Sequence, residues 1–416
     1  MKTKKILLFL LPITVVFVVT SCGTEEPYVP PPVMPDIVSP VAPEPPPLTY
    51  EQYAYTAEPE HYGAESAEPD SFEAESVEPL PELHVPNPEE TSAPYHPEEY
   101  TEVEELNEEI PAYITIRGTQ FCTSLTELNL NNIWTGWRLV SSDLVPLSFM
   151  TELTHLNLAL NHAFFDLTPL AGLANLTHLT LNQNRISDLT PLSGLTNLVY
   201  LDLFSNRIDD LSPLAGLSNL TYLNLFSNQI SNLTPLAELS SLVSLALMGN
   251  RVACLEPLAG LTNLTYLRLC WNYVSDLTPL AGLVNLSELT INNSMFNPRD
   301  PGNRVSDLTP LSELRNLTFL WIAHNYISDL TPLANVTSLR TLWLEGNEIT
   351  DITPLSGLTN LENLFLSGND ITDLTPLAGL RNLTELWIDV DRITDWSPVT
   401  HVVAINQPAF LGCMQK

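Results

Sequence analysis

Leu176 to Leu195 reads LTHLTLNQNRISDLTPLSGL. Leu179 and Leu181 alternate with polar residues, the pattern of a short strand with one buried face. Asn184 follows where the chain must turn inward, and Ile186 and Leu189 return to the core. Thr190-Pro191 then suits the first turn of a short helix, with threonine as cap and proline where no amide hydrogen is needed. Only about five residues remain before the pattern restarts, so a 3₁₀ turn is expected rather than a full α-helix.

One such coil cannot bury its leucines alone, but stacked copies can. Leu176, Leu198, Leu220, Leu242, Leu264 and Leu286 each open a unit LxxLxLxxNxI, 22 residues apart, and the series resumes at Leu317, Leu339, Leu361 and Leu383. Leu153 opens a 23-residue unit and Leu125 a longer, irregular one, giving twelve units. Nine extra residues, Ser294 to Gly302 (SMFNPRDPG), fall between Leu286 and Leu317. A solenoid tolerates such an insertion as a bulge from one coil. Asn184 recurs as Asn161, Asn206, Asn228, Asn250, Asn272, Asn303, Asn325, Asn347 and Asn369. A buried column of carboxamides can satisfy backbone groups exposed at the turn.

The consensus LxxLxLxxNxIxDLTPLxGLxNL, over about residues 125 to 400, resembles the 22-residue leucine-rich repeats of the internalins. The resemblance implies an α/β repeat solenoid, right-handed and curved, with parallel strands on the concave face and 3₁₀ turns on the convex face. It also implies binding of a protein ligand through the concave strands. The sequence contains no sortase motif, no downstream immunoglobulin-like domain and no cell-wall repeats, so lipid attachment is expected to replace attachment to the wall.

That lipid is expected at Cys22. MKTKKILLFLLPITVVFVVTSCGT has three lysines, an apolar run from Ile6 to Val19, and small residues before the cysteine. The run is shorter than the roughly 20 residues of a spanning helix and reads as a signal. Val19-Thr20-Ser21-Cys22 resembles a bacterial lipoprotein signal, an ordinary secretory signal cleaved near Ser21 being the alternative. Two or more acyl chains would hold the chain on a membrane, outside the cytoplasm. Gly23 supplies no inner-membrane retention signal of the Asp type, and the envelope type stays open.

Charge is segregated along the 416 residues. The formal net charge is -33, yet residues 23 to 110 hold 23 Asp/Glu and no Lys or Arg, against 26 acidic and 13 basic residues from 111 onward. Nucleic acid is therefore an unexpected partner. With repeated prolines and few aliphatic residues, residues 23–110 cannot offset their ordering entropy and read as an extended tether. The expected organisation is 1–22 signal, 23–110 tether, 111–152 N-terminal cap and irregular first repeat, 153–399 repeats, and 400–416 a short C-terminal cap. Ile110 to Ser124, with YITIRG at Tyr113, reads as an edge strand that leads into the irregular first unit and forms the N-terminal cap.

Strand alternation points the second, fourth and sixth places after each opening leucine to the concave surface. The fourth place holds Trp321, Trp343, Phe365 and Trp387 in four consecutive units. The second and sixth places hold Tyr200, Tyr222 and Tyr266, then Phe204, Phe226 and Met248, with Trp271 and Phe319 extending the surface. At roughly 4.8 Å between strands each set forms a column. A large exposed aromatic face usually marks an interaction site, although cross-strand stacking also stiffens a sheet.

Other columns point to structure. Asp188, Asp210, Asp276, Asp307, Asp329, Asp351, Asp373 and Asp395 precede the LTPL-type segment, with Asn232 and Cys254 replacing Asp. They read as acceptors for turn amides, calcium being the alternative. His155 and His178 hold equivalent places but lack a third ligand, so no metal is expected. Cys122, Cys254, Cys270 and Cys413 show no zinc spacing, and Cys254 and Cys270 fall at different places in successive coils, against a bridge. No phosphate loop or nucleophile elbow is present, so neither enzyme activity nor a cofactor is expected. The resulting expectation is a monomeric, surface-anchored protein that binds a protein ligand of unknown identity, in adhesion or host interaction. The alternatives are a glycan-binding envelope protein and a passive scaffold.

Overall fold

The computed structural model describes residues 110–131, 138–163, 165–293 and 302–406. The chain divides into Met1–Glu99 and Tyr100–Lys416, and the described residues all lie in the second unit. Cys22, the expected tether, Cys413 and most of the insertion lie outside them.

Thirteen parallel strands form one sheet in which each strand pairs with its sequence neighbour, from β3 (Glu127–Asn129) to β15 (Ala404–Ile405). Between strands the chain crosses over through a short 3₁₀ segment, Thr190–Leu192 being typical. This is a leucine-rich-repeat solenoid. One apolar core runs its length, from Ile114 to Val402, and the repeat leucines are almost wholly out of water. Burying each such side chain contributes roughly 1.5–3 kcal/mol, which a single coil exposed on both sides would forfeit.

The asparagine ladder closes each turn. Asn206 Nδ2 donates to the Leu203 carbonyl at 3.0 Å and to Leu181 of the preceding coil at 3.1 Å, while its Oδ1 accepts the Ile186 amide at 3.0 Å. One carboxamide thus joins two coils. The insertion leaves the ladder intact, since Asn303 still accepts the Val274 amide at 2.9 Å and donates to the Leu269 carbonyl at 3.1 Å. Asn293 clamps the base of the insertion, donating to the Asn303 and His324 carbonyls at 2.7 and 2.6 Å.

Two expectations require correction. Threonine is the first residue of the 3₁₀ segment and not its cap: Thr190 makes no capping bond, and Asp188 Oδ1 instead accepts the Thr190 amide at 2.8 Å. A carboxylate two residues upstream reaches that amide, whereas the threonine hydroxyl lies beside it. The same bond recurs at Asp210, Asp276, Asp351 and Asp373. The Thr190 hydroxyl and amide hold the Asp188 carboxyl below its ordinary pKa. Second, Tyr113–Ile116 (β1) is not an edge of the main sheet; it pairs antiparallel with Thr119–Cys122 (β2) in a separate hairpin across Arg117-Gly118. Both turn residues have positive φ, at 50° and 80°, and Gly118 meets that requirement without steric cost. In the final segment, β15 pairs in parallel with β14 (Glu385–Trp387) and extends the sheet one coil beyond Val399.

Candidate concave-face binding site

The strands of the concave face are three residues long, so each coil offers two outward side chains from the strand and a third just beyond it. Strand pairing puts equivalent residues side by side. Trp321 lies opposite Trp343, Trp343 opposite Phe365, and Phe365 opposite Trp387 on β11 (Phe319–Trp321), β12 (Thr341–Trp343), β13 (Asn363–Phe365) and β14. The ring centroids are 5.0, 3.9 and 6.2 Å apart in that order. These rings face the concave side, but they are half-buried by one another, and Phe365 is only 8% exposed. The expected exposed aromatic column is therefore a packed stack, because close strand spacing leaves no room for water between large rings. Trp387 Nε1 donates to Glu385 Oε1 at 2.8 Å, which fixes the last indole.

A second stack occupies the first strand place in the N-terminal half. His155, His178, Tyr200 and Tyr222 follow one another at centroid distances of 4.2, 5.7 and 4.4 Å. Thr154 and Thr177 hydroxyls lie 2.9 Å from the two histidine Nδ1 atoms and orient the rings. Burial and the neighbouring His155 lower the His178 pKa, with Glu127 pulling the other way. Burial raises the Tyr200 and Tyr222 pKa values. Ser244 interrupts the series, so Tyr266 stands apart from it. Phe204 and Phe226 stack at 4.8 Å beyond the strand ends, and Trp271 tilts against Phe226 at 5.9 Å. Phe319 is half-buried beside these columns.

Between the two stacks the concave face is polar, which the sequence reading missed. Arg268 on β9 (Tyr266–Arg268) meets Glu288 of the next strand at 2.8 Å, both largely buried. A second polar group lies beside the N-terminal stack, where Asp202 of β6 (Tyr200–Asp202) accepts the Asn182 side-chain amide at 2.7 Å and the Phe204 backbone amide at 3.0 Å. Burial outweighs these donors and raises the Asp202 pKa. The available sequence signal was opposite charge at diagonal places of adjacent units, Arg268 and Glu288.

A backbone feature was also missed. The residue before each ladder asparagine adopts positive φ, as at Gln183, Ser205, Ser227, Gly249, Gly346 and Gly368. Trp271 stands at the same place with φ 58°. A bulky residue in that conformation is uncommon, because its Cβ crowds the backbone.

The crystal structure of an internalin, InlF, from Listeria monocytogenes is 31% identical to this chain, covers 70% of it and 90% of its own length, and superposes with a TM-score of 0.59. This chain belongs to the internalin family of leucine-rich-repeat proteins. An internalin C2 structure from the same species is 41% identical over 44% of this internalin-like chain and 74% of its own, with a TM-score of 0.39. A leucine-rich-repeat protein of Leptospira interrogans, 21% identical over 68% of this chain and 90% of its own, shares the fold at a TM-score of 0.54. The profile for leucine-rich repeats in two copies matches residues 174–216, 315–357, 337–378 and 359–401. No curated protein matches the sequence significantly.

The internalin-like chain thus has the fold of an interaction scaffold. Cys254 and Cys270 are free thiols, and burial pushes Cys270 up to about 11. Among the described residues no group of three or more His, Cys, Asp or Glu could hold a metal ion.

Proposed function

We propose that this internalin-like protein is held at a bacterial membrane or cell surface by a lipid on Cys22, acts as a monomer, and captures a protein ligand on its concave face in adhesion or host interaction. The observation that supports this reading is the stack of Trp321, Trp343, Phe365 and Trp387 at one place in four consecutive strands. Rings already packed in place lose little freedom on binding, and indoles buried at an interface can each contribute 2 kcal/mol or more, roughly. Cross-strand stiffening alone would need no such run of tryptophan. Trp343 has ring neighbours on both sides, so it offers an edge rather than an open face. That favours apolar protein side chains over a sugar ring at this column.

A photo-crosslinking residue placed at Ser367, beside the stack, tests the reading in the full chain on cells. Protein adducts are expected there and not from position 353 on the convex side, and Trp343→Ala with Trp387→Ala should abolish them. Equal labelling from both positions, or adducts that survive the tryptophan changes, would remove the concave face from the contact. Anchoring is tested separately: Cys22→Ser should release the chain from membranes and abolish fatty-acid labelling.

A further inference from the structure

We propose that one edge of the solenoid, distinct from the concave aromatic columns, is a binding site for a linear sulfated glycan. The residue after each ladder asparagine lies where the coil leaves the concave face. Backbone bonds tie these places into a single row: Arg207 N donates to Ile186 O, Gln229 to Ile208, Arg251 to Ile230, Tyr273 to Val252, Arg304 to Val274 and Tyr326 to Val305, all at 2.7–2.9 Å. The row from Arg185 therefore runs Arg185, Arg207, Gln229, Arg251, Tyr273, Arg304, Tyr326 on adjacent rungs. At roughly 4.8 Å per rung it extends about 30 Å.

Several observations mark this row as a ligand surface. Its four arginines are exposed, in a region where acidic residues outnumber basic ones 26 to 13. The ion pairs of Arg117, Arg268, Arg315, Arg340 and Arg392 involve other arginines, and Arg251 and Arg304 enter no ion pair among the described residues. Tyr273 and Tyr326 are 39% and 50% exposed, and neither stacks on another ring among the described residues. Their faces are open, unlike those of the concave columns. The row then changes sign, because the next two rungs are Glu348 and Asp370. At its other end it leads into an open cleft of about 510 Å³ lined by Arg138, His162, Arg185 and Ser141.

Guanidinium forks match the oxygens of sulfate esters, and open tyrosine faces between them can stack on sugar rings. A ligand that alternates anionic groups with sugar rings fits the alternation Arg251, Tyr273, Arg304, Tyr326. A nucleic acid would bring a denser run of charge onto a domain with excess acid.

Retention of the full chain on immobilised heparin, eluted with salt, tests the site. Wild type should be retained at low salt. Arg207→Gln, Arg251→Gln, Arg304→Gln together should weaken binding about tenfold or more and lower the slope of log affinity against log salt by about 3. Tyr273→Ala with Tyr326→Ala should weaken binding with the slope unchanged, while Arg315→Gln with Arg381→Gln, and separately Trp343→Ala, should have no effect. Failure of wild type to bind, or equal loss in the Arg315/Arg381 control, would overturn the site. Equal retention on a carboxylate-only polysaccharide or on single-stranded DNA would overturn the sulfated-glycan assignment. The Trp343→Ala arm keeps this result separate from the concave-face reading.

Discussion

The two ring stacks of the concave face share one scaffold but differ in how they respond to their surroundings. The N-terminal stack contains His155 and His178 and lies near the buried carboxyl of Asp202, so protons can alter it. The C-terminal stack is built of indoles and one phenyl ring, and its energy resides in packing. A repeat protein makes this possible, because each coil contacts only its neighbours and two stretches of one sheet can be tuned independently.

Truncating an inner ring of the C-terminal stack and the end ring of the N-terminal one should expose the difference most strongly. Trp343→Ala removes a ring packed between Trp321 and Phe365 and should cost about 2–3 kcal/mol in urea unfolding. Tyr222→Ala removes a ring stacked on one side, against Tyr200, and should cost about 1–2 kcal/mol. Equal costs would erase the packing contrast.

The buried carboxyl gives the next effect. The folded-state pKa of Asp202 is raised, so its favourable contribution is complete below the unfolded value and is lost as pH rises through the folded one. Asp202→Asn keeps an acceptor for the Phe204 amide and removes the charge. The variant should be more stable than wild type by about 1 kcal/mol at pH 7, with the gap closing below about pH 4. A gap independent of pH would mean that burial is not what the charge opposes.

These contrasts were only partly legible in sequence. The 22-residue period placed the leucines, the Asn184 ladder and the outward direction of Trp343, because alternation and register follow from backbone geometry alone. It could not show that Phe365 is covered by its neighbours, since that depends on how closely the strands bring four rings together. The role of Asp188 was visible as an acceptor, but the absence of a threonine cap depends on where the 3₁₀ bonds begin. β1 and β2 carry no repeat signature, so their separate pairing had no periodic cue. The arginine row was hidden by spacing: its members are 22 or more residues apart and fall into line only through the rung-to-rung backbone bonds.

Acidification should separate the stacks by a smaller amount. The folded-state pKa of His178 is lowered, so its contribution is complete above the ordinary histidine value of about 6.5 and is lost as pH falls below it. Hydrogen exchange at pH 5.5 should show faster opening over 155–222 than at pH 7.5, and His178→Gln should remove that difference. His324 near the second stack is also lowered by burial, so a local change around Gly346 should persist in the His178→Gln chain and vanish with His324→Gln. A change spread evenly along the sheet would show that the coils do not respond separately.

Trp271 offers the smallest expected change in stability and the clearest separation of packing from binding. It holds a left-handed backbone conformation where other coils use Gly249, Gly346 or Gly368. Trp271→Gly relieves a backbone cost of about 1–2 kcal/mol and gives up a tilted contact with Phe226 worth about 0.5–1.5 kcal/mol. The two nearly cancel, so unfolding by urea should shift by less than about 1 kcal/mol. A packing contribution that exceeds the backbone cost would instead produce a clear loss of stability on removal. Unchanged stability together with weaker crosslinking at Ser367 would show that the ring is kept for a partner, and would extend the binding surface from the C-terminal stack toward Phe226.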